Sequence, residues 1–307
     1  VHEIEAPIPD AFSVALGREL GLSKRALLSD EYFRPHRGAR ALLLPTSLRE
    51  RCEALLPLLR PDQFFSHITA APLWGLPFWF PADENLHVSG PHPTRAMRRP
   101  GVTGHQSKDT RLQVIQVRGL PLSDPLSTWC ALASMLPLDE LIVIADALVM
   151  VDAFGNDRPR YTREHLGERA SLYLGPRFNL LGRAVAESRV GSESPMETRL
   201  RLLLTRSGVP QPRLNQNVFT VDGDFLARPD QHWREYRTIV EYDGIWHDST
   251  PEQITHDSRR IDRITDEGWS HVKVVKADLL EQPGVTVARV ATALIAGGWN
   301  PPDGFPF

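Results

Sequence analysis

The chain has 307 residues, 41% of them hydrophobic and 24% charged, an ordinary globular composition with room for two domains. It holds no apolar run of about 18 residues, which argues against a membrane-spanning helix. Its opening VHEIEAPIPD has neither a basic n-region nor an apolar h-region, so no signal peptide is expected. A net charge of −3 argues against a broadly basic nucleic-acid surface and leaves room only for local basic patches.

Residues 1–44 read as a winged-helix-like module. An apolar-periodic helix runs from Phe12 to Leu20 and stops at Gly21, and Ser23 is an N-cap for a second short helix, KRALLS. EYFRPHRGARAL then reads as a β-wing turning at Gly38. In a helix-turn-helix the second helix enters the major groove, the place expected for KRALLS. Lys24, Arg25 and Arg37 are the candidate phosphate contacts here. An ordinary helical hairpin is the other reading of the same pattern.

Residues 45–150 read as a mixed α/β middle domain. SLRERCEALLPLL is an amphipathic helix, and SHITAAPLW is a helix ended by Gly75. LHVS, VTGHQ and LQVIQV are short strands, Ser123-Asp124-Pro125 caps a following helix, and LDELIVIADALVM is another apolar helix. Arg95, Arg98 and Arg99 in PTRAMRRPG make a basic patch. His67, His87, His92 and His105 are scattered along the sequence and read as structural or surface residues. Cys52 and Cys130 lie in helix-like contexts without a partner motif, as reduced thiols of a cytoplasmic protein would.

The order from SHITAAPLWGLP through GLPLSDPLSTWCALA is similar to the AbiEi-like antitoxins of type IV toxin–antitoxin systems. That resemblance implies a winged helix joined to an α/β domain, DNA as a ligand and a partner protein encoded alongside. Residues 151–190 follow as a charged helical connector.

Residues 191–307 form the last expected domain. In SPMETRLRLLL, Ser194 caps a helix with Pro195 in its first turn and Glu197 at N3, a capping-box arrangement. QNVFTVDGDFL turns at Asp222-Gly223, and RPDQHWREYRTIVEYDGIWH reads as two strands joined by a polar turn. Residues i and i+2 of a strand share a face, so Glu241 and Asp243 project together with Val240 and Tyr242 opposite. A hairpin brings Asp230 towards them. Three carboxylates at one point repel unless a cation sits between, and hard oxygen ligands suit Mg²⁺ or Mn²⁺. His247 follows as a base for activating water near neutral pH. Ordinary turn chemistry is the other reading of YDG, and a purely capping role is the other reading of Glu197. The helix TPEQITHDSRRIDRITDEG carries Arg259, Arg260 and Arg263, aimed either at phosphate or at surface salt bridges. HVKVVKA is a core strand and PGVTVARVATALIAGG a final helix.

Asp230, then Glu241-Tyr242-Asp243-Gly244, then His247 resembles the core of the PD-(D/E)xK nucleases, in the branch similar to very-short-patch-repair endonucleases. The resemblance covers about the last third of the chain. It implies an αβββαβα restriction-endonuclease-like core and metal-dependent hydrolysis of DNA phosphodiesters. Asp230 and Glu241 would be the metal ligands, with Glu197, Asp243 and His247 around them. The chain departs from the superfamily pattern in carrying Asp243 where a lysine belongs; in that branch a histidine takes its part, which points to His247. A DNA-binding regulator of AbiEi type, with an inactive nuclease fold, is the competing reading. Both place the chain in the α/β (α+β) class, free of the membrane.

Overall fold

The structure is a computed structural model that describes residues 7–79, 83–150, 161–244 and 251–305, the side chains of 251–257 excepted. It is mixed α/β, the class expected. The chain divides into two units, Val1–Pro137 with Leu166–Arg183, and Leu138–His165 with Ala184–Phe307. The helix expected to close the middle domain therefore groups with the C-terminal unit instead.

In the first unit, β1 (Ala11–Ser13) leads straight into α1 (Val14–Glu19), where the Ser13 hydroxyl accepts the Leu16 N–H at 3.0 Å. The expected second helix is a single 3₁₀ turn, Ala26–Leu28. Six residues close too few hydrogen bonds to offset helix nucleation, and the Ser29 hydroxyl donates back to the Ala26 carbonyl to end the turn. β2 (Ala39–Ala41) pairs with β1, and Phe33 bridges Ala41 around Gly38, whose φ is 94°. The strand and turn of the wing are present, without a regular recognition helix.

α2 (Leu48–Leu55) begins in a capping box of Ser47 and Glu50. After it come β3 (Phe64–Phe65), α3 (His67–Leu73), β4 (Leu86–Pro91), β5 (Val102–Ser107), β6 (Val114–Val117), β7 (Leu120–Ser123) and α4 (Pro125–Leu132). The strands make one mixed sheet in the order β5-β4-β3-β7-β6. β6 and β7 are joined by Arg118-Gly119, both at positive φ, the two-residue turn that matches strand twist. Asp124 caps α4 by accepting the Ser127 N–H at 3.0 Å.

α5 (Leu138–Val149) is apolar almost all round and buried. α6 (Arg163–Leu172) and α7 (Asn179–Glu187) are the helices through which the division between units runs. Within the second unit α5 lies against α8 (Pro195–Arg206), where Asp146 accepts from Arg201 at 2.7 Å and from Thr198 at 2.9 Å. β8 (Arg213–Leu214), the hairpin β9 (Val218–Phe219) with β10 (Phe225–Ala227), β11 (Gln231–Trp233), β12 (Thr238–Asp243), α9 (Pro251–Asp266), β13 (Ser270–Val275), α10 (Lys276–Glu281) and α11 (Pro283–Ala296) follow.

The central sheet has the order β13-β12-β11-β8, with β12 and β13 parallel. The β9–β10 hairpin turns at Gly223 as expected but, among the described residues, pairs only with itself. Val240 joins Leu200, Leu204, Val290 and Leu294 in a core on one face, while Ile239 packs with Ile264 and Trp269 in another. Burial on both faces fixes the register of β12, since a slip of one residue would exchange these two sets.

Candidate functional site

The β11–β12 register pairs Gln231 with Val240 and Trp233 with Thr238. Continued by one residue, it sets Asp230 opposite Glu241 on one face of the sheet. One Asp230 carboxylate oxygen accepts the Tyr242 N–H at 2.7 Å. Burial raises the Asp230 carboxyl to about 7, with the charges of Glu197, Glu241 and Glu193 adding to it against the Tyr242 hydrogen bond. Glu197 does not close the expected box onto Ser194. The Ser194 hydroxyl accepts the Glu197 N–H at 3.2 Å, while the Glu197 carboxylate accepts the Glu193 N–H at 2.8 Å and an Asn215 amide N–H at 2.7 Å.

Glu241 is in a different electrostatic position. Its oxygens accept from both terminal nitrogens of Arg260, and Nε2 of His271 lies 2.7 Å away. Burial pushes its carboxyl up, but His271 and Arg260 outweigh that and hold it below the ordinary value. Asp243 ion-pairs with Lys273, the residue opposite Glu241 on β13. Asp230, Glu241 and Asp243 do not gather tightly enough for one ion to bridge all three; among the described residues the metal-sized group is elsewhere, as given below. His247 lies outside the described residues.

His271 and Lys273 were not anticipated as site residues. Their signal was present in HVKVVKA, because strand alternation puts positions 271 and 273 on one face with Val272 and Val274 on the other. Only the strand pairing decides that this face meets Glu241.

Of the basic residues, Lys24, Arg25 and Arg37 are exposed, as are Arg95, Arg98, Arg259 and Arg263. Two stretches far apart in sequence meet: the Arg99 guanidinium donates to the Arg37 carbonyl, bringing the 95–99 loop beside the wing. His36 lies in the same cluster; burial lowers its pKa first, and the charges of Arg99 and Arg51 lower it further. Arg263 donates to the Phe225 carbonyl at 3.3 Å, and Arg260 is committed to Glu241.

The histidines of the first unit are not scattered in space. His67, His87 and His105 each bring a ring nitrogen within 4.8 Å of the others. His67 and His87 are buried, 8% and 1% exposed, and His105 is half-buried. Ring nitrogens of His87 and His105 lie 3.0 Å apart, and the His67 and His105 rings stack with centroids 3.9 Å apart. Burial, then the neighbouring rings, hold His67 well below its ordinary pKa, and burial, then His87, bring His105 to about 4. His92 is exposed and stands outside the group.

No family model matches the chain. It is similar to an uncharacterized protein of Mycobacterium tuberculosis strain H37Rv, 28% identical over 229 residues, covering 74% of this chain and 79% of that protein, and equally to its counterpart in strain CDC 1551. A crystal structure of the RV2827C protein from Mycobacterium tuberculosis aligns with a TM-score of 0.38 at 15% identity, over 69% of this chain and 84% of that one. Among the described residues no helix is long and apolar enough to cross a membrane.

Proposed function

We propose that the second unit is a metal-dependent DNA endonuclease domain of the PD-(D/E)xK kind, working in the cytoplasm in repair, restriction or phage defence. One observation carries the reading: Asp230 faces Glu241 across paired strands, in a place where burial first, and then the charges of Glu197 and Glu241, raise its carboxyl above the ordinary value. A divalent cation would favour the ionised form of Asp230 there, and the donors are hard oxygens, so Mg²⁺ or Mn²⁺ fits. Asp230 and Glu241 would hold it. When bound, the cation supplies charge neutralisation at the scissile phosphate and a more acidic water.

The chain's own residues do the rest. Tyr242 N–H fixes the Asp230 carboxylate. Asn215 and the Glu193 N–H orient Glu197. Lys273, ion-paired with Asp243, brings an ammonium to the neighbourhood where the motif has lost its own lysine. Exposed Arg259 and Arg263 give α9 positive charge for the DNA backbone.

Plasmid incubated with the 307-residue chain and Mg²⁺ or Mn²⁺ should be nicked. Asp230→Ala should lose at least about 100-fold of that rate while keeping its fold. Equal rates for parent and variant would sink the proposal.

A second reading draws on a specific contact. Glu241 already has Arg260 and His271 as partners, so a cation is not required for its charge. The second unit would then be an inactive nuclease fold, and the cluster of Arg37, Arg95, Arg98 and Arg99 would bind DNA for an antitoxin-like regulator with a partner protein. Duplex binding that survives in a protein with no metal-dependent cleavage would select this reading.

A further inference from the structure

We infer that His67, His87 and His105 form a mononuclear metal site for a zinc-class divalent ion in the first unit, leaving a fourth coordination position open. The site is independent of the nuclease reading, which concerns the other unit and a different kind of metal.

The fold builds this site from three elements. His67 is the first residue of α3, with Ser66 as its N-cap. His87 lies on β4 and His105 on β5, and the parallel pairing of His87 with Thr103 and of Ser89 with His105 puts both imidazoles on one face. The Ser66 N–H donates to the His87 carbonyl and the His87 N–H to the Thr69 hydroxyl, at 3.0 and 2.7 Å, so α3 is tied to that face. His67 takes a backbone φ of 51°, a region that costs a residue with a Cβ roughly 1 kcal/mol or more and is kept where surroundings enforce it.

Outer partners already orient two of the three rings. Asp83 lies 3.0 Å from His87 Nε2, which leaves Nδ1 to face the cluster. The Ser66 hydroxyl lies 2.9 Å from His67 Nδ1 and 2.7 Å from the Ser89 hydroxyl, which leaves His67 Nε2 for the cluster. A carboxylate behind a ligating imidazole, as Asp83 is behind His87, is a usual support of a metal-bound histidine, and the Ser66 hydroxyl can accept the other ring proton of His67 in the same way.

The third contact fits too. His105 Nε2 lies 3.0 Å from His87 Nδ1, a distance for one shared proton. Two nitrogens on a tetrahedral zinc, each about 2.0–2.1 Å from it, stand roughly 3.3 Å apart. A small opening of this pair, with the proton on His105 Nε2 moving to that ring's own Nδ1, frees both His87 Nδ1 and His105 Nε2 for the ion. Three imidazoles select zinc-class ions over Mg²⁺, and three protein ligands leave a position for water or an anion. His105, half-buried, is the side from which an ion enters.

The test uses the 307-residue chain, stripped with a chelator and titrated with Co²⁺ and Zn²⁺. Co²⁺ should give the visible bands of a tetrahedral ion, and Zn²⁺ should displace it at one ion per chain and raise the melting temperature. His105→Ala should bind at least about 100-fold more weakly, and Asp83→Asn about 10- to 100-fold more weakly, as loss of an outer partner does. Asp230→Ala should bind Zn²⁺ like the parent, which separates this site from the nuclease reading. If His105→Ala fails to fold, the half-buried His105→Gln takes its place, with circular dichroism confirming the fold. The inference is overturned if the stripped parent shows no tetrahedral Co²⁺ bands, or if the His105 variants bind Zn²⁺ as tightly as the parent.

Discussion

At Asp230 the folded chain holds a proton that the unfolded chain has already lost over much of the acid range. Its carboxyl moves from 3.8 to about 7 on folding. A raised folded pKa gives stability that is fully present below pH 3.8 and is lost as pH rises through about 7. Asp230→Asn keeps an oxygen for the Tyr242 N–H and removes the titration. We expect it to raise stability by roughly 2 kcal/mol at pH 8 and by much less near pH 5, in metal-free buffer. Mg²⁺ should narrow the gap at pH 8, because a cation that binds only the folded parent stabilises it. Thermal melts of both proteins at the two pH values check this; a gap that does not change with pH would show that Asp230 is ionised in both states. Glu241, under Arg260 and His271, should show the opposite sense: its stabilisation is lost as pH falls, not as it rises.

At the scale of elements, two positions show what local geometry demands. A Cβ on Gly104 would stand 2.1 Å from the Met97 carbonyl oxygen, a backbone atom that cannot swing away. Gly104→Ala should therefore push the 95–99 loop off β5, cost about 1–3 kcal/mol and disturb both Arg99 and the neighbouring His105. Loss of Zn²⁺ affinity together with weaker duplex binding would be the joint signature; unchanged stability would refute the clash. The second position is the Asp146–Arg201 pair between α5 and α8, with side chains 1% and 2% exposed. Arg201→Leu strands a buried carboxylate, and a loss of about 3–5 kcal/mol is expected in a denaturant titration. Caps and alternation made most of this layout readable beforehand: Ser194-Pro195, Asp124-Pro125, Gly38, Gly75 and Gly223 mark real ends and turns. Three things were hidden. Lys24–Ser29 carries a helix pattern too short to form a helix, the strand Leu120–Ser123 stands just before the Ser123-Asp124-Pro125 cap and was not read as a strand, and the meeting of His67, His87 and His105 depends on strand pairing that no local spacing encodes. At the candidate nuclease centre the opposition of Asp230 and Glu241 was readable from period-2 alternation and a hairpin, whereas the commitment of Glu241 to Arg260 and His271 was not.

At the scale of the molecule, the units do not follow the linear order of the motifs. The second unit needs Leu138–His165 as well as Ala184–Phe307. A fragment of residues 191–307 would lack α5 and so leave Arg201 without Asp146. We expect that fragment to aggregate or to melt without cooperativity, and residues 138–307 to give a cooperative transition. Circular dichroism melts of the two fragments decide it, and a sharp transition from the shorter one would show that α5 is dispensable. The interleaving also reaches into how the protein is made. A ribosome delivers residues from the N-terminus, and domains ordinarily fold as they emerge. Here the first unit still lacks Leu166–Arg183 when Leu138–His165, which belongs to the other unit, has already appeared. The first unit is complete only once Arg183 has emerged, and the apolar α5, made earlier, must wait for its partner α8 to be translated, so a nascent chain halted in that interval is expected to expose apolar surface.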